Sequence, residues 1–169
     1  MEYWDLYDRG RNKLNCRHIR GERLEKGLYH IVVHVWIVNS NNELLLTQRH
    51  PDKTFPYKWE GSGGSILAGE DSLDGALREV KEEIGIDLRG NQGKKIKTII
   101  RDNDFCSDFL DVWLFKADFS LKETKLQETE VIGIQWVSKA ALKTLFDQAE
   151  MSPSVQYLLD LLDQGLLFE

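Results

Sequence analysis

The segment GGSILAGEDSLDGALREVKEEIGI, Gly63 to Ile86, constrains this chain more than any other. It runs from a glycine-rich loop into an amphipathic helix whose last turns carry clustered acids. The pattern predicts a helix from about Ser72 to Ile84, with Asp71 or Ser72 as N-cap and Gly85 as the C-terminal stop. On a wheel of about 100° per residue, Leu73, Ala76, Leu77, Val80 and Ile84 share one stripe, which must pack on the sheet. Glu79, Glu82 and Glu83 share the neighbouring arc, close enough for their carboxylates to converge. Like charges so spaced cost about 0.2–0.5 kcal/mol per pair, and the negative end of the helix dipole disfavours them further. Asp74, Arg78 and Glu82 are spaced as a ladder, which leaves Glu79 and Glu83 without helical relief. A solvated acidic face is the ordinary reading of such a trio. A divalent cation reverses the sign of the cost, because clustered oxygens are what Mg²⁺ takes.

Around this segment the chain alternates strand and turn signals. WDLYD and NCRHI flank RGRNKL as an N-terminal β-hairpin. YHIVVHVWIV reads as a strand buried on both faces, NSNN as a turn, ELLLTQR as the next strand and HPDKTFPYKWEGSGG as a loop. KKIKTIIRD, FLDVWLFKADF and VIGIQWV read as strands, and SKAALKTLFDQ and PSVQYLLDLLDQG as helices. Strands dominate the middle, with one helix inserted and two at the end. That order predicts an α/β chain with a mixed sheet covered by helices on its faces. The length of 169 residues suits one domain, 1–169. Within it, residues 1–27 form an extension, 28–145 the core and 146–169 a C-terminal helix.

Charge and cysteine usage narrow the function classes. A net charge of −6 argues against a binder of nucleic-acid polymer or of membrane surface, but not against a small nucleotide. No apolar run approaches the ~20 residues of a membrane helix. Cys16 and Cys106 are isolated, which suggests reduced thiols and a cytoplasmic location. The loop EGSGGSILAGE lets a ligand approach the backbone, and it is not a Walker A loop because no GK[ST] follows.

Gly64, five residues, Glu70, seven residues and then Arg78-Glu79-Val80-Lys81-Glu82-Glu83-Ile84-Gly85-Ile86 resembles the Nudix box in full. LLLTQR, PYKWEGSGG and ETEVIGIQWVSKAAL are similar to segments that flank the box in that family. The resemblance implies an α/β/α sandwich and hydrolysis of a diphosphate bond in a nucleoside diphosphate joined to another group. It implies Mg²⁺, with Mn²⁺ as an alternative, held by Glu79, Glu82 and Glu83. Arg78 would orient the glutamates through its fixed fork of donors and Glu70 would support the loop. Gly63, Gly64 and Arg49 would meet the substrate, and Glu79, Glu128 or Glu130 would take a proton from water. The partner implied is a small-molecule diphosphate, and the family is often dimeric. Lys53 and Lys58 are further candidates for phosphate contact. Trp36, Tyr57, Trp59, Phe105, Phe109 and Trp113 are candidates for stacking on a base.

GLYHIVVHVWIVNSNNELLLTQR and WDLYD also resemble the branch of that family related to isopentenyl-diphosphate isomerase. On that alignment the isomerase Cys falls on Gly63, one ligand His on Ser65 and another near Arg23, while His30 alone keeps its place. Without the thiol the proton transfer loses a principal acid/base, so hydrolysis is the expected activity. His30 and His34 are then strand residues, in the core or the pocket wall. Isomerase and a non-catalytic nucleotide-binding module are the alternatives.

Overall fold

The β-branched run His30–Val38 is the axis of the molecule. In a computed structural model, which describes residues 1–103 and 106–168, it forms strand β3. The preceding hairpin is β1 (Tyr3–Tyr7) and β2 (Lys13–Ile19), paired antiparallel as a separate two-stranded sheet. The larger sheet adds β4 (Leu44–Arg49), β5 (Trp59–Glu60), β6 (Ser62–Ser65), β7 (Gln92–Asp102), β8 (Ser107–Lys116) and β9 (Val131–Val137). Its order is β5-β4-β3-β8-β7, with β6 paired to β3 and β9 to β4. The β3–β8 pair is parallel and the other pairings are antiparallel, so the sheet is mixed.

Period-two alternation along β3 feeds two cores. Ile31, Val33, Val35 and Ile37 point to one face, where α1 (Ser72–Ile84) lays Ala76, Val80 and Ile84. Val32 and Trp36 point to the other, with Leu142 of α2 (Lys139–Asp147) and Leu158, Leu161 and Leu162 of α3 (Tyr157–Asp163). Helices therefore cover both faces of the sheet, as the α/β/α sandwich requires. Each fully buried aliphatic or aromatic side chain contributes about 1.5–3 kcal/mol.

The helix before the acids is set by its ends. The Asp71 side chain accepts from the Leu73 and Asp74 amides at 2.8 and 2.9 Å, and Gly85 closes the helix at φ 75°. Leu73 departs from the expected stripe: it is 38% exposed, because the first turn projects beyond the core beside the hairpin. The expected loop HPDKTFPYKWEGSGG ends in structure, since Trp59–Glu60 and Ser62–Ser65 are strands. At Gly63 a Cβ would meet the Val33 carbonyl oxygen at 2.3 Å, so the missing side chain is what lets this segment lie against β3. Within PSVQYLLDLLDQG, Pro153–Val155 is a 3₁₀ turn and only Tyr157–Asp163 is α-helix.

Ile84, fully buried under the sheet at the last turn of α1, is the joint between the acidic helix and the core. Ile84→Ala is expected to lower stability by about 2–5 kcal/mol in urea unfolding, with an unchanged slope.

Candidate active site

The residues of the acidic helix face a cleft of about 1120 Å³. Arg78, Glu79, Glu82 and Glu83 of α1 form one wall, with Gly63, Gly64 and Ser65 of β6 beside them. Arg49 of β4, Glu60 of β5, Lys53 and Glu130 border it, and the hairpin closes the other side with Trp4, Arg9 and Arg20.

Arg78 organises the acidic wall. Its Nε and Nη2 donate to the two oxygens of Glu70 at 2.7 and 3.0 Å, and Nη2 also donates to the Ser65 carbonyl at 3.1 Å. Its Nη1 donates to Glu79 at 2.9 Å and to Glu82 at 3.0 Å. Glu70 in turn accepts the Leu67 amide at 2.8 Å. The expected ladder is thus half right: Glu82 is a partner and Asp74 is not, because the guanidinium turns away from Asp74 toward the loop. Glu79, expected to lack relief, receives it from its own neighbour.

Glu83 receives none from Arg78. Burial raises its carboxyl well above the usual range, and the charges of Glu79, Glu60 and Glu130 add to the rise. Ser62 faces it and works the other way, although Ser62 Oγ is buried and meets no partner at hydrogen-bond geometry. Glu79 is also raised, by burial first, against the pull of Arg78. Burial tends to raise Glu70 too, but the Arg78 fork and the Leu67 amide outweigh it and hold Glu70 below its ordinary value.

The donor set suits a hard cation. Carboxylate oxygens are its preferred ligands, and two of these carboxyls resist ionising without a counter-charge. Gly64 leaves the necessary room: a Cβ there would meet Glu79 Oε1 at 2.4 Å. Among the described residues, however, no three His, Cys, Asp or Glu side chains stand together at metal-holding distance. A cation bound by Glu79, Glu82 and Glu83 would complete its shell with water and substrate oxygens, as Mg²⁺ commonly does.

The other expected site residues divide. Arg49 reaches the cleft and pairs with Glu60 at 2.5 Å, and Lys53 pairs with Glu130 there. Lys58 does not line the cleft; its ammonium donates to the Ala149 carbonyl at 2.7 Å. Glu128 is exposed and outside the cleft, whereas Glu130 borders it. Trp36 and Phe109 are core side chains, and Trp59 and Trp113 pack against the two cores. Tyr57 is 54% exposed and away from the cleft, and Phe105 lies outside the described residues.

The ring that does line the cleft is Trp4, stacked on His30 with centroids 3.9 Å apart. His30 borders the cleft, and burial with the nearby Arg101 charge lowers it to about 4. His34 is tied to the α3 side, with Nδ1 2.8 Å from the Tyr157 hydroxyl. Glu60, Trp4 and the Arg101–Asp108 ion pair at the cleft escape sequence reading. Only Glu60, adjacent to the glycine run, carried any signal in the sequence.

The NUDIX domain profile matches residues 28–158. An uncharacterized Nudix hydrolase of Listeria innocua is 39% identical over 157 residues, which span 90% of this chain and 89% of that protein. A solved structure from Deinococcus radiodurans superposes with a TM-score of 0.74 at 19% identity, covering 96% of this chain and 98% of that one. The MutT protein of Methanosarcina mazei gives a TM-score of 0.62 at 25% identity, over 85% of this chain and 98% of its own. Among the described residues no helix is long and apolar enough to cross a membrane.

The raised carboxyls have a consequence for stability. Between the unfolded value, near 4.5, and its raised folded value, Glu83 binds more proton in the folded chain than in the unfolded one. Its contribution therefore worsens as pH rises through that window and levels off above it. His30 and His34, whose folded values lie at about 4 and about 3, oppose this trend below their unfolded 6.5. The difference between variants isolates the carboxyl. In urea unfolding without metal, Glu83→Gln is expected to gain stability relative to the parent between pH 5 and pH 8.

Proposed function

This chain belongs to the NUDIX domain family, and from that premise we propose that it is a Mg²⁺-dependent hydrolase of a nucleoside diphosphate joined to a further group. Pyrophosphohydrolase chemistry on a diphosphate is the family-level activity. The observation that carries the reading here is the Arg78 fork, which ties Glu79 and Glu82, on the wall of the cleft that also holds Glu83, to Glu70 of the loop behind them.

Glu79, Glu82 and Glu83 would hold the cation. When bound, Mg²⁺ neutralises the diphosphate oxygens and lowers the pKa of a bound water. The chain's own groups do the rest. Gly63 and Gly64 bring β6 backbone to the cleft surface without side chains, so a diphosphate can lie close to it. Arg49, held against Glu60, and Lys53 place positive charge where substrate oxygens arrive. Arg78 keeps Glu79 and Glu82 in register with the loop.

Water adds to phosphorus, the phosphorus–oxygen anhydride bond breaks, and the leaving phosphate takes the bonding electrons. A carboxylate accepts the proton. Glu130 is assigned that role, because it borders the cleft outside the Arg78 network, leaving the α1 glutamates to the cation. Its pairing with Lys53 holds it at the rim.

The test is a screen of nucleoside diphosphates, nucleotide sugars, dinucleotides and isopentenyl diphosphate with Mg²⁺. Both phosphate release and allylic rearrangement are read. Release of a phosphate-containing product is expected. Rearrangement alone would assign an isomerase, and neither product would leave a binding module. Glu82→Gln and Glu83→Gln are each expected to lower kcat by about 10²–10³-fold with the fold intact by circular dichroism, comparable to removing a group that stabilises transition-state charge. Full Mg²⁺-dependent turnover in Glu83→Gln would sink its assignment.

A further inference from the structure

The N-terminal hairpin lies outside the stretch that the family profile matches, yet it is bonded to the loop that feeds the acidic helix. The Tyr3 carbonyl accepts the Ala68 amide at 2.8 Å, and one oxygen of Asp5 accepts the Gly69 amide at 2.7 Å. Asp5 is only 5% exposed. The same oxygen accepts from Lys13 Nζ at 2.6 Å, and its other oxygen is 3.7 Å from Arg17 Nε. Gly69 sits at φ 91°, and the next residue is Glu70, the double acceptor of the Arg78 fork. Three links therefore join strand β1 to the cleft: Asp5 to Gly69, Glu70 to Arg78, and Arg78 to Glu79 and Glu82.

We propose that Asp5 is a positioning residue of the carboxylate site, fixing through the Gly69 amide the turn that presents Glu70 to Arg78. The proposal rests on reading the α1 glutamates as the functional carboxylates. Asp5 itself does not border the cleft, so it acts through the loop and not on a ligand. A turn with a glycine in the left-handed region has many alternatives open to it. The buried carboxylate removes them by demanding the Gly69 amide as a donor, since an ionised acceptor bonded to an amide is among the stronger pairings available. Burial tends to raise Asp5, and Lys13 with the Gly69 amide more than offsets it, so the acceptor is ionised at neutral pH. Lys13 is the obvious competing role for Asp5, because a cross-strand ion pair in the hairpin would be a purely local matter.

Three variants separate these roles. Asp5→Ala loses both bonds, Asp5→Asn keeps an oxygen for the Gly69 amide, and Lys13→Met loses only the ion pair. The first readout needs neither metal nor turnover: the Arg78 Nε–H resonance in ¹⁵N spectra. It is expected to move and to exchange with solvent at least about tenfold faster in Asp5→Ala, the equivalent of one hydrogen bond. It should stay in place in Lys13→Met and return most of the way in Asp5→Asn. The second readout is Mg²⁺ binding by calorimetry, expected to weaken by about tenfold in Asp5→Ala alone. If Asp5→Ala does not fold, Asp5→Ser, too short to reach Gly69, takes its place. An unmoved Arg78 signal in Asp5→Ala or Asp5→Ser, or an equal shift in Lys13→Met, would overturn the proposal. Absence of hydrolysis by the parent chain would overturn the hydrolase reading and leave these two measurements standing.

Discussion

One guanidinium holds the acidic wall together. Arg78 spends its planar fork on Glu70, Glu79, Glu82 and the Ser65 carbonyl, so a single cation spans loop, strand and helix. Lysine could not replace it, because a point charge on a flexible stem cannot meet four acceptors in fixed directions. The pairing with Glu70 is bidentate and partly buried, which makes it more than a surface ion pair. Removing Arg78 would leave the partly buried Glu70 and Glu79 without their cationic partner, a costly way to break such a network. Two of the glutamates that face the cleft, Glu79 and Glu82, take their places from this residue.

The helix C-terminus explains why Glu83 remains the unstable member. Arg78 neutralises part of the acidic cluster from the N-terminal side, one turn back. Glu83 sits beyond its reach, at the negative end of the helix dipole, with Glu60, Glu79 and Glu130 around it. Nothing in the packing of α1 requires an acid there, because the core is made by Ala76, Val80 and Ile84 on the other side. A buried carboxyl so placed is what the proposed cation site requires, since a positive charge beside it would relieve its cost.

Much of this was legible in the sequence, and what was not has identifiable physical reasons. The helix, its Asp71 and Gly85 caps and its acidic arc follow from local spacing, and local hydrogen bonds decide them. Leu73 failed because a wheel assigns a face and not a depth: the first turn runs past the edge of the core. The segment before the acidic helix has the composition of a loop because glycine has low strand propensity, yet absent side chains are what permit the close approach of Ser62–Ser65 to β3. The aromatic candidates failed for a related reason, since alternation along a strand does not say which face is wet. Trp36 and Phe109 point inward, and Trp4, which lines the cleft beside His30, comes from a hairpin whose position depends on contacts more than 60 residues away, such as Asp5 with Gly69. Glu128 and Glu130 are alike in sequence and share the turn before β9, but only Glu130 borders the cleft, paired there with Lys53.

The hairpin's share of the cleft also bears on what the cleft is for. A diphosphate alone is far smaller than 1120 Å³, so on the proposed function the cleft has room for the group joined to it. The walls on the hairpin side are largely charged or polar, with Arg9, Arg20, Arg23, Lys26 and Glu22 against few apolar groups. A hydrocarbon chain would find little there to be buried against, whereas a group with its own hydrogen-bonding edges would find partners in every direction. Trp4 and His30 add a flat, stacked surface, and His30 Nδ1 and Trp4 Nε1 are buried without partners. Buried polar atoms left unpaired cost about 1–3 kcal/mol each, a cost most readily justified where a ligand or a small shift of the hairpin satisfies them. The hairpin that steadies the acidic wall is therefore also the wall that faces it, which couples how the diphosphate is held to what else the cleft admits.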